Sequence, residues 1–220
     1  MFQDEYSRWC QAELVDFDLK RELTEIAGDE DAIRERFAAS LSFGTAGLRG
    51  TLGVGTNRMN IWVVRQATQG IADWVKTKGG SQTVAISYDS RLKGWNFARD
   101  AASVLAANGI QVRLYDELMP VPALSFATRY YNCNAGIMIT ASHNPAKYNG
   151  YKAYGADGCQ VTDEDAAIVY AAIQKTDVLG GAKFMSFAEG VEKGLIRFVE
   201  DACKEAFYAA VARASARRQA

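Results

Sequence analysis

Three stretches stand in close succession: TVAISY at Thr83–Tyr88, NFARDAASVLAAN at Asn96–Asn108 and IQVRLY at Ile110–Tyr115. The first and third are short runs rich in apolar and β-branched residues, the pattern of strands. The second has helical spacing and closes on Gly109, a residue suited to the left-handed turn that ends a helix. A strand, a helix and a strand in this order predict a βαβ unit and a parallel sheet. AGIMI at Ala135–Ile139 adds a further strand, apolar throughout, as a strand buried on both faces is.

The flanks fit the same frame. Asn60–Lys78 predicts a helix, with Ile61, Val64, Ala67, Ile71, Trp74 and Val75 on one face. Pro120 and Pro122 open a short helix over Ala123–Tyr131. Tyr148–Tyr154 and Gln160–Val161 read as a hairpin across Asp157-Gly158. Thr162 caps a helix to Lys175. Leu179–Phe198 reads as a strand and loop, and Glu200–Arg217 as an amphipathic helix. Before all of this, Phe2–Phe17, Leu19–Ile26 and Asp29–Ala39 are charged and helix-patterned. The expected fold is α/β, a three-layer α/β/α domain with a mainly parallel mixed sheet. Residues 1–40 form a helical extension, 41–199 the α/β domain and 200–220 a terminal helix.

Composition narrows the class of function. The chain has 220 residues, 49% hydrophobic and 23% charged, enough to bury a sizeable core. Its 25 Lys+Arg against 26 Asp+Glu give a net charge of −1. A general nucleic-acid or anionic-membrane binder would carry a basic excess. The longest charge-free run, Tyr130–Ala146, contains Asn132, Asn134, Ser142, Asn144 and Pro145 and does not read as a membrane span. Asp4 and Glu5 precede any apolar stretch, so no signal peptide is expected. Cys10, Cys133, Cys159 and Cys203 lie far apart and read as reduced thiols of a cytoplasmic protein. The single histidine, His143, excludes a His-rich zinc site. Next to Ser142 in the chain, it is badly placed to act as that serine's base.

Three stretches could carry chemistry. Thr140-Ala-Ser-His-Asn-Pro145 follows the strand Ala135–Ile139, and ligands of open α/β sheets sit beyond the carboxyl ends of strands. Ser142 there could act as a nucleophile or carry a phosphoryl group; alternatively, the polar residues only turn the chain. Asn149-Gly-Tyr-Lys152 places a lysine on a flexible hairpin, where it would neutralise a phosphate, shuttle a proton, or simply be solvated. Phe43-Gly-Thr-Ala-Gly-Leu-Arg-Gly50 exposes backbone N–H groups and offers Arg49 as a planar fork for phosphate. It also reads as a glycine-rich hairpin. The pattern GxxxxGK followed by Ser or Thr is missing, and Arg58 stands where GxGxxG needs its last glycine. Asp89-Ser90-Arg91 is a weaker candidate that could show Arg91 to an anion or close a loop ion pair. The acidic runs Asp29–Asp31 and Asp163–Asp165 read as helix starts.

FGTAGLRG, TASHNP and NGYK in this order resemble the N-terminal domain I of the α-D-phosphohexomutases, the phosphoglucomutase/phosphomannomutase family. The helical lead-in is similar to that of the phosphoglucomutase-2-like and phosphopentomutase subgroup. The resemblance covers roughly Arg8 to Val211. It implies that Ser142 is a phosphoserine that exchanges a phosphoryl group with a sugar phosphate, between the C1 and C6 (or C5) hydroxyls, through a sugar 1,6-bisphosphate that also primes the enzyme. It implies that Lys152, Arg49 and His143 are catalytic, and that Thr45, Gly47 and Asn144 bind substrate phosphate. It implies Mg²⁺, bound through the phosphate of Ser142 and the aspartates of a DGDxDR loop. That loop does not occur in these residues. The resemblance therefore implies the first of four domains, with domains II–IV supplied in cis or in trans and little activity alone. The alternative is a stand-alone binding or regulatory module that keeps the serine loop without turnover.

Overall fold

The computed structural model describes residues 1–45, 47–80 and 82–215. Six strands form one sheet: β1 (Leu48–Thr51), β2 (Thr83–Tyr88), β3 (Gln111–Leu114), β4 (Ala135–Ile139), β5 (Tyr148–Gly155) and β6 (Ile196–Phe198), in the order β1-β5-β4-β2-β3-β6. β2 pairs in parallel with β3 and β4, and β3 with β6. β5 is antiparallel to both β4 and β1, so it alone runs against the rest.

The helices are α1 (Phe2–Gln11), α2 (Phe17–Glu25), α3 (Glu30–Phe37), α4 (Ile61–Thr77), α5 (Gly94–Ala107), α6 (Val121–Tyr130), α7 (Asp163–Lys175), α8 (Phe187–Glu192) and α9 (Asp201–Ala214). Alternation along the strands sets the layers. Val84, Ile86 and Tyr88 of β2 and Ala135, Ile137 and Ile139 of β4 face one core, with α4, α5 and α7. Ala85 and Met138 face the other, with α6 and α9. This is the expected α/β/α arrangement.

The N-terminal helices belong to the larger core. Trp9, Leu14, Leu19, Leu23, Ile33 and Phe37 are all buried in it. Trp9 is fully buried, packs edge-on against Phe37 at 5.9 Å and donates its indole N–H to Glu5 at 2.9 Å. We expect Trp9→Ala to cost ~3–5 kcal/mol of unfolding free energy in a denaturant titration, the scale for emptying such a site. A loss under ~1 kcal/mol would mean that the extension merely rests on the domain.

Several elements differ from expectation. The first helix stops at Gln11 rather than Phe17, because Asp16 caps a new helix by accepting from the Asp18 N–H. The hairpin across Asp157-Gly158 is short: past Tyr151, where the pairing of β5 with β1 ends, the chain turns back through the bridge Tyr154–Gln160, with the Gly155 N–H donating to the Cys159 carbonyl and the Val161 N–H to that of Ala153. Leu179–Phe198 contains a short helix, α8, capped by Ser186, as well as β6. The terminal helix is observed to Ala214, and Arg217 lies outside the described residues. That helix rests on its own domain through Cys203 and Phe207, Phe207 lying edge-on to Phe126 of α6 at 5.7 Å. The four cysteines are free. Among the described residues, no helix is long and apolar enough to cross a membrane.

Candidate active site

The three motifs occupy neighbouring positions because β1, β5 and β4 are consecutive in the sheet. TASHNP leaves the carboxyl end of β4, NGYK is part of β5, and FGTAGLRG enters β1, with Ala46 outside the described residues. Arg49 pairs with Gly150, and Lys152 with Met138. Leu48 and Tyr151, opposite each other, both face the larger core. By alternation, Arg49 and Lys152 emerge together on the other face.

Two close backbone approaches fix this corner. Gly47 has φ 76°, and a Cβ there would lie 2.0 Å from the Tyr151 carbonyl oxygen and 2.8 Å from the Cα of Lys152. A Cβ at Gly150 would lie 2.5 Å from the Thr140 carbonyl oxygen. Both glycines let strands β1 and β5 and the start of the serine loop press together.

Ser142 is exposed, and its backbone has φ 58°, a left-handed conformation unusual for a non-glycine residue. Its N–H donates to Thr140 Oγ1 at 2.9 Å. The Thr140 hydroxyl in turn donates to Asp89. The Ser142 hydroxyl has His143 Nδ1 at 3.4 Å. Asn144 closes the turn by donating its N–H to the Ala141 carbonyl, and its side-chain oxygen accepts from Arg49 at 2.9 Å. So Arg49 is tied to the serine loop through Asn144, and Ser142 contacts His143 within it. Thr45 and Gly47 lie in the turn that opens β1, where the Gly47 N–H donates to the Gly44 carbonyl at 2.7 Å. Among the described residues, the Thr45 side chain makes no bond to the serine loop.

Burial pushes the Lys152 ammonium down from its ordinary 10.5, and the like charge of Arg49 adds to this. The Asp89 carboxylate opposes the shift in part. Two cations held on one face beside an exposed hydroxyl make a site that favours an anion. A metal fits less well. Among the described residues, no group of three or more His, Cys, Asp or Glu is placed to hold one, and Asp89 is engaged with Thr140.

Sequence reasoning missed the part played by Asp89 and Arg91. Of its two expected roles, the loop ion pair is the one observed, with Nε 3.7 Å from Asp89 Oδ2; unforeseen is that both terminal nitrogens of Arg91 bond the backbone of the serine loop. The only early signal was the position of Asp-Ser-Arg directly after β2, at the functional edge of the sheet.

Fold and site together define a three-layer α/β/α protein that presents a hydroxyl and two cations at one edge of its sheet. Residues 40–179, well over half of the chain, match the phosphoglucomutase/phosphomannomutase alpha/beta/alpha domain I, and the chain belongs to that family. It is 46% identical over 132 residues to a phosphoglucomutase of Staphylococcus haemolyticus, and 46% over 131 residues to that of Staphylococcus aureus. Each match covers 60% of this chain but 24% of the relative, so the chain spans about a quarter of the curated relatives it matches. Among solved structures, one assigned as a phosphomannomutase of Thermus thermophilus superposes with a TM-score of 0.59 at 30% identity, covering 70% of this chain and 35% of that one. A phosphoglucomutase/phosphomannomutase family protein of Burkholderia thailandensis shares the fold, with a TM-score of 0.57 at 22% identity over 74% of this chain and 34% of that one.

Proposed function

We propose that this chain is the domain of a phosphosugar mutase that carries the phosphoserine, and that Ser142 is that residue. The observation that carries this reading is the exposed, left-handed Ser142 at the end of β4, tied through Asn144 to Arg49 on β1. In the first half-reaction the bond between phosphorus and Ser142 Oγ breaks, and a bond from phosphorus to a sugar hydroxyl oxygen forms. The hydroxyl loses its proton, Oγ gains one, and a sugar bisphosphate results. The second half-reaction reverses these changes at the other end of the sugar. Lys152 serves as the local proton source and, with Arg49, stabilises charge on the equatorial oxygens, the main demand of phosphoryl transfer. His143 and Asn144 support the loop, and Thr45 and Gly47 line the phosphate site.

Mg²⁺ is part of this reading, with the phosphate of Ser142 its contact in this chain. The remaining ligands, like the contacts that choose a glucose, mannose or pentose phosphate, belong to domains II–IV. A cytoplasmic setting accords with free thiols and a soluble phosphosugar.

The test is a coupled assay of an assembled mutase, this chain joined to the later domains of the Staphylococcus aureus phosphoglucomutase. It is supplied with glucose 1-phosphate, a glucose 1,6-bisphosphate primer and Mg²⁺. Lys152→Ala and Arg49→Ala should each lower kcat by ~10²-fold or more, the scale of a lost acid/base or charge clamp. Unchanged kcat and kcat/KM would remove the residue from the mechanism. The pH profile adds a sign. If protonated Lys152 is the active form, its lowered pKa places the alkaline fall in rate below the lysine value of 10.5. Lys152→Arg, which stays charged, should move that limb upward. An unmoved limb would assign it to another group.

A further inference from the structure

Asp89-Ser-Arg91 directly follows β2, and β2 lies beside β4, so this segment abuts the loop that carries Ser142. Arg91 grips that loop by its backbone. Its Nη2 donates to the carbonyls of Ser142 at 2.8 Å and Asn144 at 2.6 Å. Its Nη1 donates to those of Pro145 at 3.1 Å and Tyr148 at 2.9 Å. Both terminal nitrogens of the planar guanidinium are thus committed to one short stretch of chain, while Nε stands 3.7 Å from Asp89 Oδ2. Asp89 holds the same loop from its other end, through the Thr140 hydroxyl to the N–H of Ser142. The residue between these two anchors is the one with φ 58°. An L residue stays in that region only where its surroundings enforce it. A lysine has three donors on a flexible stem and cannot reproduce a rigid fork that engages four carbonyls.

We propose that Arg91 is the positioning residue for Ser142. With Asp89 and Thr140 it holds the 140–148 loop in the single conformation that presents the serine oxygen ready-aligned for phosphoryl transfer. Arg91 touches neither the transferring group nor the sugar. This inference rests on the function proposed above, so its test has two arms that fail separately.

The first arm uses the 220-residue chain alone and reads hydrogen exchange. Three amides report on the loop: Ser142, bonded to Thr140 Oγ1; Asn144, bonded to the Ala141 carbonyl; and Tyr148, bonded to the Pro145 carbonyl. In Arg91→Lys and in the milder-sized Arg91→Gln these amides should exchange at least ~10-fold faster, while amides of β2 and β4 hold, as for opening confined to one segment. Protection equal to the parent's, or a loss spread evenly over the sheet, would overturn the clamp. The second arm uses the assembled mutase. Both variants should lose at least ~10-fold in kcat with KM for the sugar monophosphate within ~2-fold, the split expected when alignment is lost but binding is kept. Unchanged kcat, or a fall explained by a rise in KM, would overturn the positioning role. If the parent mutase itself places no phosphate on Ser142, the proposed function fails, and the exchange result still decides whether Arg91 holds the loop.

Discussion

Ser142→Ala in the assembled mutase is expected to lower turnover by ~10⁴-fold or more, the scale for removing a nucleophile that acts as one unit with its neighbours. No other hydroxyl among the described residues of the loop is placed to substitute. Thr140, two residues away, is bonded to Asp89 and accepts the Ser142 N–H. The change should leave the fold alone. Alanine keeps a Cβ at the same φ of 58°, so the backbone strain is unchanged, and the hydroxyl's contact is with His143 Nδ1 at 3.4 Å. Unfolding free energy should therefore move by less than ~0.5 kcal/mol. Rate and stability are read on the same preparations, by coupled assay and by urea titration. Residual turnover above ~1% of the parent would mean that phosphate is carried elsewhere, since such a mutant retains only what binding and charge supply.

The second large effect concerns the 220 residues by themselves. They should fold, because both faces of the sheet are covered and the two cores are closed by helices of this chain. They should turn over glucose 1-phosphate at least ~10⁵-fold more slowly than the assembled mutase, a factor that lost alignment of the substrate can reach by itself. Among the described residues no group of three or more His, Cys, Asp or Glu is placed to complete a metal site, and the two cations of the site can grip one phosphate but not align the far end of the sugar. Lost alignment alone accounts for ~7 kcal/mol of barrier, about that factor in rate. The same coupled assay, with primer and Mg²⁺, reads it. Turnover that survives repurification and vanishes in Ser142→Ala would show that later domains are not required, and would favour a complete enzyme over a domain.

The parallel core of the fold was legible because its signals are local. Thr83–Tyr88 and Ala135–Ile139 are apolar runs with observed bounds identical to the expected ones. Asn60, the cap of α4, accepts from the N–H groups of Trp62 and Val63 within its own turn. The antiparallel edge was not legible. β1 meets β5 across about a hundred residues, a pairing that neither segment specifies by itself. β6, three residues long, is a strand only because β3 lies beside it.

The candidate site divides in the same way. Ser142, Arg49 and Lys152 stood out as residue types in glycine-rich or turn-forming motifs, yet each also had an ordinary structural reading. The resemblance grouped them, and the order β1-β5-β4 supplies the physical reason that they meet. The ion pair of Arg91 with Asp89 was legible as one of two readings, but its hold on the serine loop was not, because the partners there are backbone carbonyls 51 to 57 residues away. Backbone acceptors carry no residue signature, so no motif could announce them.

The role of Ser142 is read most directly from the location of the phosphate. The assembled mutase is incubated with glucose 1,6-bisphosphate and Mg²⁺, quenched, cut with trypsin and mapped by mass spectrometry. The proposed function predicts a single phosphate on the peptide Tyr130–Lys147, fragmenting to Ser142, and its discharge when glucose 1-phosphate is added. Phosphate on any other residue, or phosphate on Ser142 that added sugar phosphate does not remove, would contradict it.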